Sequence, residues 1–296
     1  MTTINQNNHK MGAIYLIGQI VMSLFLVSIV KVLQPEFSVF LILFFRYLFC
    51  LPLLIALAIY TRGSKFLSIT NTRGLALRTI FGVLGLTMWF LSVINLDISL
   101  ATALSQTMPI FITGLSVIIA GEVVGLKRLV SVLVGFFGVL VLIFPLTPAL
   151  NLWGVLYALL GAFFSALMFV YLRVLGRTDP AVSTAIWYNV TGVILAGLLA
   201  YILNDFEPLV GLSTPDSLYL LIVLGVLASF QQFFLAQSHM YAQASMLAPL
   251  HFLSIPLGIV IGIVFFDEVI TFKFLLGSAI IVASTYYMLM REQANQ

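Results

Sequence analysis

The chain consists of apolar runs separated by short polar joints, and each run is about as long as the 20 residues that an α-helix needs to cross a bilayer. Of its 296 residues, 62% are hydrophobic and 8% are charged, whereas soluble domains carry roughly 25% charged residues. The sequence therefore predicts an integral membrane protein with many spanning helices and excludes a soluble globule.

The predicted fold class is an all-α polytopic membrane protein with ten transmembrane helices. The first run, Met11–Val30, has no small-residue cleavage site behind it, so we expect a retained helix and not a signal peptide. The predicted spans are 11–30, 38–60, 75–94, 101–120, 129–144, 152–172, 182–203, 218–238, 244–266 and 272–290.

Basic residues fall in alternate joints, as expected when positive charge stays on the cytoplasmic side. The predicted outer joints hold only Lys31 and Lys273, and Arg46 lies inside a span. The predicted inner side holds Lys10, Arg62, Lys65, Arg73, Arg78, Lys127, Arg128, Arg173, Arg177 and Arg291. We therefore expect both termini in the cytoplasm and the protein in the cytoplasmic (inner) membrane.

The sequence is internally duplicated. The stretch from Glu122 to Lys127 matches the stretch from Glu268 to Lys273 at a shift of 146 positions, and Gly12–Leu33 aligns without gaps on Gly154–Leu175. We expect a first repeat at 1–145 and a second at 146–296, with five helices in each. Because five is odd, the second repeat enters the membrane from the opposite side, which makes the repeats inverted.

The sequence carries no phosphate-binding glycine loop, HExxH or GxSxG motif, and its joints are too short for a catalytic domain. The single cysteine, Cys50, has no partner for a disulfide or a thiolate metal site. The basic residues are scattered and form no nucleic-acid patch. We predict a protein that is not an enzyme, with no cofactor and no metal. Its expected partners are a small-molecule substrate and the lipid bilayer, and its expected state is a monomer or homodimer.

Two related spans carry polar stripes on one helical face. In the fourth span these residues are Thr102, Ser105, Gln106, Pro109, Thr113 and Ser116, and in the ninth span they are His251, Ser254, Gly258 and Gly262. The repeat places His251 opposite Ser105. We expect Gln106 and His251 to face a substrate cavity, whereas the small residues of the ninth span suit close helix packing.

Other polar side chains lie within spans, where a charged group costs about 2.5 to 3.5 kcal/mol unless it is turned to a cavity or partner. Arg46, whose repeat counterpart is Asn189, either snorkels to the outer surface or faces inward to bind an anionic group or a carbonyl. Trp89, Tyr188 and Gln232 are pocket candidates, with an interfacial position left open for Tyr188. Glu122 and Glu268 each precede a helix and are assigned structural roles at helix N-termini, paired with a neighbouring lysine.

The order of several short motifs resembles the drug/metabolite transporter superfamily, EamA-like branch. These motifs are Arg73-Gly74, Gly82, Leu100–Leu104 with Pro109, Gly121–Gly125, Lys127-Arg128, Gly135–Pro145, Ala248–Phe252 and Phe266–Glu268. The resemblance covers nearly the whole chain and implies a ten-helix basket around a central substrate cavity. His251 departs from it, because similar sequences often carry an aromatic residue such as Tyr there.

We therefore expect a secondary transporter that moves a small organic metabolite by alternating access. The resemblance suggests amino acids, nucleoside-like compounds such as S-adenosylmethionine, riboflavin or toxic analogues as substrates. A lipid-linked sugar flippase and a membrane scaffold that transports nothing remain the alternatives. Since His251 is the one titratable group placed well inside a predicted span that exchanges protons near neutrality, we expect facilitated diffusion or weak proton coupling through His251.

Overall fold

The protein is described by a computed structural model that covers residues 9–108, 110–112, 115, 126–143, 150–175, 178–205, 215–241 and 248–294. Two 3₁₀ turns occur in these ranges, Gly63–Lys65 and Ala248–Leu253. The α-helices are α1 His9–Leu33, α2 Val39–Arg62, α3 Thr72–Asn95, α4 Ile98–Ser105, α5 Leu126–Ile143, α6 Leu152–Leu175, α7 Ala181–Ile202, α8 Pro215–Tyr241, α9 Ser254–Phe266 and α10 Phe272–Ala294. Their order confirms the predicted all-helical fold.

Two helices are shorter than the apolar runs predicted. The fourth span, predicted to be continuous over 101–120, is interrupted after α4, where Gln106 N–H bonds Ala103 O at 3.2 Å in a 3₁₀-like turn. A proline at position 109 has no N–H, so a regular helix could not form the hydrogen bond to the Ser105 carbonyl. The ninth span, predicted over 244–266, begins within the described residues as the 3₁₀ turn Ala248–Leu253, and α9 starts at Ser254. Pro256 lies in the first turn of α9, where a missing N–H is tolerated.

The two halves run in opposite directions through the molecule. Helices α2 and α7 occupy the same position in the two repeats. Ser38, which caps the start of α2, donates a hydrogen bond to Asp205 just beyond the end of α7. At the other end, Arg62 Nη1 donates to Ser183 Oγ at 2.8 Å. The start of one helix therefore meets the end of its counterpart at both ends, which makes the repeats inverted.

Helix packing follows the same pseudo-twofold axis. The most extensive interface joins α3 to α6, and its symmetry mate joins α8 to α1. Three further interfaces pair a helix with its own counterpart: α2 with α7, α4 with α9 and α5 with α10. The main packing is therefore between the halves, and the two repeats share one interior.

The outer surface of the bundle is apolar. On α5 the exposed side chains include Leu133, Phe136, Phe137 and Leu140. Within the described residues, six helices are long and apolar enough to cross a membrane by length and composition: α1, α2, α3, α6, α7 and α8. Exposed tyrosines lie near helix ends, among them Tyr60 and Tyr201, where amphipathic rings suit the headgroup region. These features describe a multi-pass membrane protein.

Candidate substrate-binding site

Helices α4 and α9 cross in close contact near the pseudo-twofold axis. A Cβ atom at Gly258 would lie 3.2 Å from Thr102 Oγ1, so a larger residue would require the Thr102 side chain to shift. Ser99 Oγ donates to the Gly258 carbonyl at 3.4 Å. The expectation that the small residues of the ninth span allow close packing therefore agrees with this geometry at Gly258.

Polar side chains meet where α4 ends and where the 3₁₀ turn Ala248–Leu253 leads into α9. Gln106 Nε2 donates to Ser254 Oγ at 2.8 Å, and Ser254 Oγ donates to the backbone carbonyl of His251 at 2.8 Å. Gln106 is nearly buried, and His251 is half-buried in the 3₁₀ turn. Ser105 Oγ donates to the Thr102 carbonyl of its own helix. Ser254 thus links the Gln106 side chain to the backbone of His251, at the C-terminal end of α4 and the N-terminal end of α9.

A second polar group, which we call the Arg–Tyr cluster, comprises Arg46, Tyr47, Arg78 and Tyr188. The hydroxyls of Tyr47 and Tyr188 lie 3.2 Å apart, and their rings pack edge to face at 5.5 Å. Arg46 Cζ lies 4.9 Å from the Tyr47 ring, and Arg78 Cζ lies 4.5 Å from the Tyr188 ring. The cluster therefore forms a continuous row across α2, α7 and α3, in which each cation faces an aromatic ring.

Glycine makes room for this cluster. A Cβ at Gly82 would lie 2.8 Å from the Tyr188 ring, and Tyr188 Oη donates to the Gly82 carbonyl at 3.3 Å. Tyr188 is 6% exposed, so it does not occupy the interfacial belt that the sequence left open. Its ring is instead held between α3 and α2.

Several hydrogen-bond donors and acceptors in and near the Arg–Tyr cluster are buried and have no protein partner among the described residues. Arg46 is 2% exposed, and among the described residues its Nε and Nη1 have no hydrogen-bond partner. Arg78 Nη1 donates to the Thr184 carbonyl at 3.3 Å, but its Nε is unpartnered there. Asn189 donates to the Ala185 carbonyl, while its Oδ1 is buried and unpartnered in the same part of the chain. Arg46 therefore faces inward and does not snorkel.

The sequence did not single out Arg78 as a candidate site residue, and Arg78 was counted among the basic residues of the cytoplasmic joints. The structure places Arg78 inside α3 and only 5% exposed, so that count was wrong for this residue. A signal was available, because Arg78 lies within the predicted span 75–94, one helical turn before Gly82. Tyr47, 0% exposed beside Arg46, was missed for lack of any local signal.

The remaining predicted site residues lie elsewhere. Trp89 is half-buried on α3 and packs between two apolar clusters of the core. Gln232 is half-buried on α8. Glu122 falls outside the described residues. The substrate-binding roles of Trp89 and Gln232 and the structural role of Glu122 therefore stay predictions.

Glu268 joins the two halves at the end of the bundle that also holds Lys31. Its carboxylate accepts hydrogen bonds from the backbone N–H groups of Ile98 and Ser99, the latter at 3.0 Å. Lys31 Nζ lies 3.5 Å from Glu268 Oε1 and donates to the Leu96 carbonyl at 3.2 Å. Glu268 therefore binds the N-terminus of α4, on the other repeat, and its lysine partner comes from α1.

Two loop carboxylates have shifted pKa values. Partial burial and the neighbouring Glu268 raise the pKa of Asp97, and Lys31 offsets this only in part. Burial alone would raise the pKa of Asp179, but hydrogen bonds from Thr70, Thr178 and Asn71 outweigh it and hold the pKa below its usual range. The ionised form of Asp179 is therefore favoured in the folded protein, and that of Asp97 is disfavoured.

Two inverted five-helix halves that pack against each other are the architecture of secondary transporters built from inverted repeats. The EamA-like transporter family matches residues 10–144 and again residues 152–290. The chain therefore belongs to the EamA-like transporter family of the drug/metabolite transporter superfamily. It is a secondary transporter of small metabolites and not an enzyme.

The chain is also similar to individual proteins. It is 25% identical over 252 residues to a riboflavin transporter of Rhizobium johnstonii, covering 85% of this chain and 80% of that protein. It is 25% identical over 268 residues to an S-adenosylmethionine uptake transporter of Rickettsia prowazekii, covering 90% and 87%. One solved crystal structure superposes with a TM-score of 0.64 at 17% identity, covering 96% of this chain and 98% of that chain. That likeness shows the fold.

Proposed function

We propose that this transporter binds its substrate next to the crossing of α4 and α9 and moves it by alternating access. The observation that supports this most directly is the 2.8 Å hydrogen bond from Gln106 to Ser254, which joins the end of α4 to the start of α9 across the two halves. A substrate bound at that point contacts both halves. Rocking of one half against the other then exposes the same site to either side of the membrane.

The proposed location is the cytoplasmic (inner) membrane, and the proposed orientation places both termini in the cytoplasm. Three predicted outer joints contribute Lys31, Leu96 and Glu268 to one contact group. Two predicted inner joints meet through Asp179 and the backbone N–H of Asn71 at 3.0 Å. These contacts support the assignment of the outer joints to one side of the bundle and the inner joints to the other. The distribution of Lys and Arg supports the assignment of the inner joints to the cytoplasm. Reporter fusions after Asp97 and after Arg177 should give opposite locations, and equal locations would overturn the orientation.

The substrate class is a small organic metabolite, and riboflavin and S-adenosylmethionine are the first compounds to test because relatives are named for their transport. A lipid-linked sugar flippase is the alternative that shares this architecture. It requires a lateral opening to the lipid, and so its substrate reaches the site from the bilayer. A scaffold requires no buried polar groups at the axis, and the Gln106–Ser254 bond disfavours it.

The test is thermal unfolding of the purified protein against a metabolite library, followed by uptake into proteoliposomes. A compound bound at 100 times its Kd stabilises the folded state by about 2.7 kcal/mol. Gln106→Ala should weaken binding up to about tenfold, because it removes a hydrogen-bonding group. Ser278→Ala is the matched control, since it removes a buried α10 hydroxyl that has no partner among the described residues.

The outcomes separate the alternatives. Stabilisation by a water-soluble metabolite that also accumulates in proteoliposomes supports the proposal. Stabilisation only by lipid-linked sugars favours the flippase. No stabilisation by any compound, together with equal behaviour of the Gln106 and Ser278 variants, would overturn a binding site at the crossing.

A further inference from the structure

The Arg–Tyr cluster holds two positive charges inside the membrane and no negative one. Arg46 and Arg78 lie about 9 to 11 Å of helix rise from the nearest ends of α2 and α3. In the part of the chain that the structure describes, the one ion pair joins Lys31 to Glu268, and neither buried arginine lies within salt-bridge distance of a carboxylate. Arginine stays protonated at any working pH, so these charges cannot be removed by titration.

Buried cations are normally paired, because desolvation of an unpaired charge is costly. The tyrosine rings supply part of the compensation through cation–π contacts at 4.9 Å and 4.5 Å. They leave hydrogen-bond donors unused, namely Nε and Nη1 of Arg46 and Nε of Arg78, which have no partner among the described residues. The cluster lacks an acceptor that carries negative charge.

We propose that the Arg–Tyr cluster is the subsite for an oxyanion of the transported metabolite, a carboxylate or a phosphate. This inference rests on the proposed transport function and adds the charge of the substrate to it. Arginine is suited to such groups because its planar donors match the geometry of carboxylate and phosphate oxygens. The Tyr188 hydroxyl donates to the Gly82 carbonyl and lies 3.2 Å from the Tyr47 hydroxyl, so the unpartnered guanidinium N–H groups supply the donors for the anion.

The position of the cluster suits a transported ligand and not a fixed structural ion. Its side chains come from α2 and α3 of the first half and from α7 of the second half. An anion bound there contacts both halves, so its binding energy differs between conformations that bring the halves together differently. Such differential binding is what a ligand needs to shift a conformational equilibrium.

The first experiment probes the site without a known substrate. Thermal unfolding of the purified protein is followed while formate, or inorganic phosphate, replaces chloride at equal ionic strength. We expect saturable stabilisation by at least one of these oxyanions. The same titration is repeated with Arg46→Gln, Arg78→Gln and, as a matched control, Arg62→Gln, which removes a charge from the end of α2. The stabilisation should fall about tenfold or more in apparent affinity in the first two variants and persist in the control.

Wild-type protein alone already decides the question. If neither formate nor phosphate gives saturable stabilisation over chloride, the proposal is overturned, whether or not the variants fold. Arg78→Lys provides a second variant that keeps the charge while losing the planar donors, and it should bind oxyanions more weakly than wild type but more tightly than Arg78→Gln. Equal saturable stabilisation in all arginine variants would place the anion elsewhere and would also overturn the proposal.

The second experiment uses matched metabolites that differ by one anionic group. S-adenosylmethionine is compared with its decarboxylated form, and riboflavin 5′-phosphate with riboflavin, in binding and in proteoliposome uptake. A preference for the anionic member that is lost in Arg46→Gln and Arg78→Gln supports the subsite and tells a carboxylate from a phosphate. Metabolite uptake with no such preference leaves the transport function standing and overturns the subsite. Oxyanion stabilisation without any uptake supports the subsite and counts against the transport function.

Discussion

The carboxylate of Glu268 accepts a 3.0 Å hydrogen bond from the backbone N–H of Ser99, although the two residues are 169 positions apart in the chain. The second half of the protein thereby supplies the acceptor for the N-terminal end of a helix of the first half. A carboxylate at this position also interacts favourably with the partial positive charge of the helix end. Because α4 carries Gln106 at its other end, Glu268 holds one end of the helix that leads to the proposed substrate site.

Replacement of Glu268 by glutamine should destabilise the protein by about 1 to 3 kcal/mol, because buried donors lose a charged acceptor. The substitution also removes the carboxylate that lies 3.5 Å from Lys31 Nζ. Asp267→Asn is the control, because Asp267 is exposed and its φ of 52° is tolerated by asparagine. Thermal unfolding checks this. Equal melting temperatures for the two variants would show that Glu268 does not stabilise the end of the bundle that holds Lys31.

Asp179 should make the stability of the protein depend on pH in the acid range. Its pKa is lowered in the folded state, so its contribution is fully present above the unfolded pKa of about 3.9 and is lost as pH falls through the folded pKa. Asp179→Asn should therefore lower the melting temperature at pH 7, and the difference from wild type should shrink as the pH falls below about 4. Asp216→Asn, at an exposed carboxylate, is the control. A difference that does not change with pH would contradict the assignment.

Asp97 should show the opposite sign. Its pKa is raised in the folded state, so its ionised form costs stability at neutral pH, and the cost disappears as pH falls through the folded pKa. Asp97→Asn should raise stability at pH 7 by less than about 1 kcal/mol, since the residue is exposed and solvent screens the charge. The gain should diminish toward pH 4. A lower melting temperature for Asp97→Asn at pH 7 would contradict this prediction.

Gln106 and His251 are predicted to face one cavity, and cysteine labelling tests this. Single cysteines at 106 and 251, in a Cys50→Ala background, should react with a small polar thiol reagent and be protected by a bound substrate. Ala158→Cys is the control, because Ala158 is 0% exposed and should stay unreactive. If the thiols at 106 and 251 are as inert as the thiol at 158, both side chains are packed between helices and do not line a cavity.

Energy coupling is predicted to be facilitated diffusion, or weak proton coupling through His251. The carboxylates whose side chains are described all lie in loops or at helix ends. His251 lies in the 3₁₀ turn before α9, and histidine is the side-chain type best suited to exchange protons at physiological pH. A pH gradient imposed on proteoliposomes should therefore drive little accumulation, and His251→Gln should abolish what there is. Strong uphill accumulation that survives His251→Gln would place a carboxylate in the transport path.

Much of the architecture could be predicted from the sequence because helices in lipid satisfy their own backbone hydrogen bonds. Span number follows from the length and order of apolar runs, the repeat follows from internal similarity, and the inversion follows from the odd number of spans in each repeat. The interruptions near Gln106 and before Ser254 were not predicted, because an apolar run has the same composition whether or not its backbone is regular. Pro109 and Pro256 were visible, but their effect depends on how neighbouring helices accommodate the freed carbonyls.

Buried polar residues were predictable where a polar side chain stands in an apolar run, as Arg46, Gln106 and Asn189 do. Arg78 was misassigned because it lies near a span end, where an arginine that faces a joint and one that faces inward have the same local sequence. Only the packing of α3 against α7 places Arg78 over the Tyr188 ring. Glu268 was predicted to act at the N-terminus of the helix that follows it, but it binds the N-terminus of α4, which the folding of the other half brings to it.

The sequence by itself determined the membrane location, the helix count and the inverted duplication, since these follow from hydropathy, charge distribution and internal similarity. Tertiary structure alone decided which polar groups share an environment. Arg46 and Arg78 belong to different helices, and their common position beside Tyr47 and Tyr188 arises from packing across the pseudo-twofold axis. The physical reason is that burial and pairing of a charge are properties of all the helices around it, whereas hydropathy is a property of one segment.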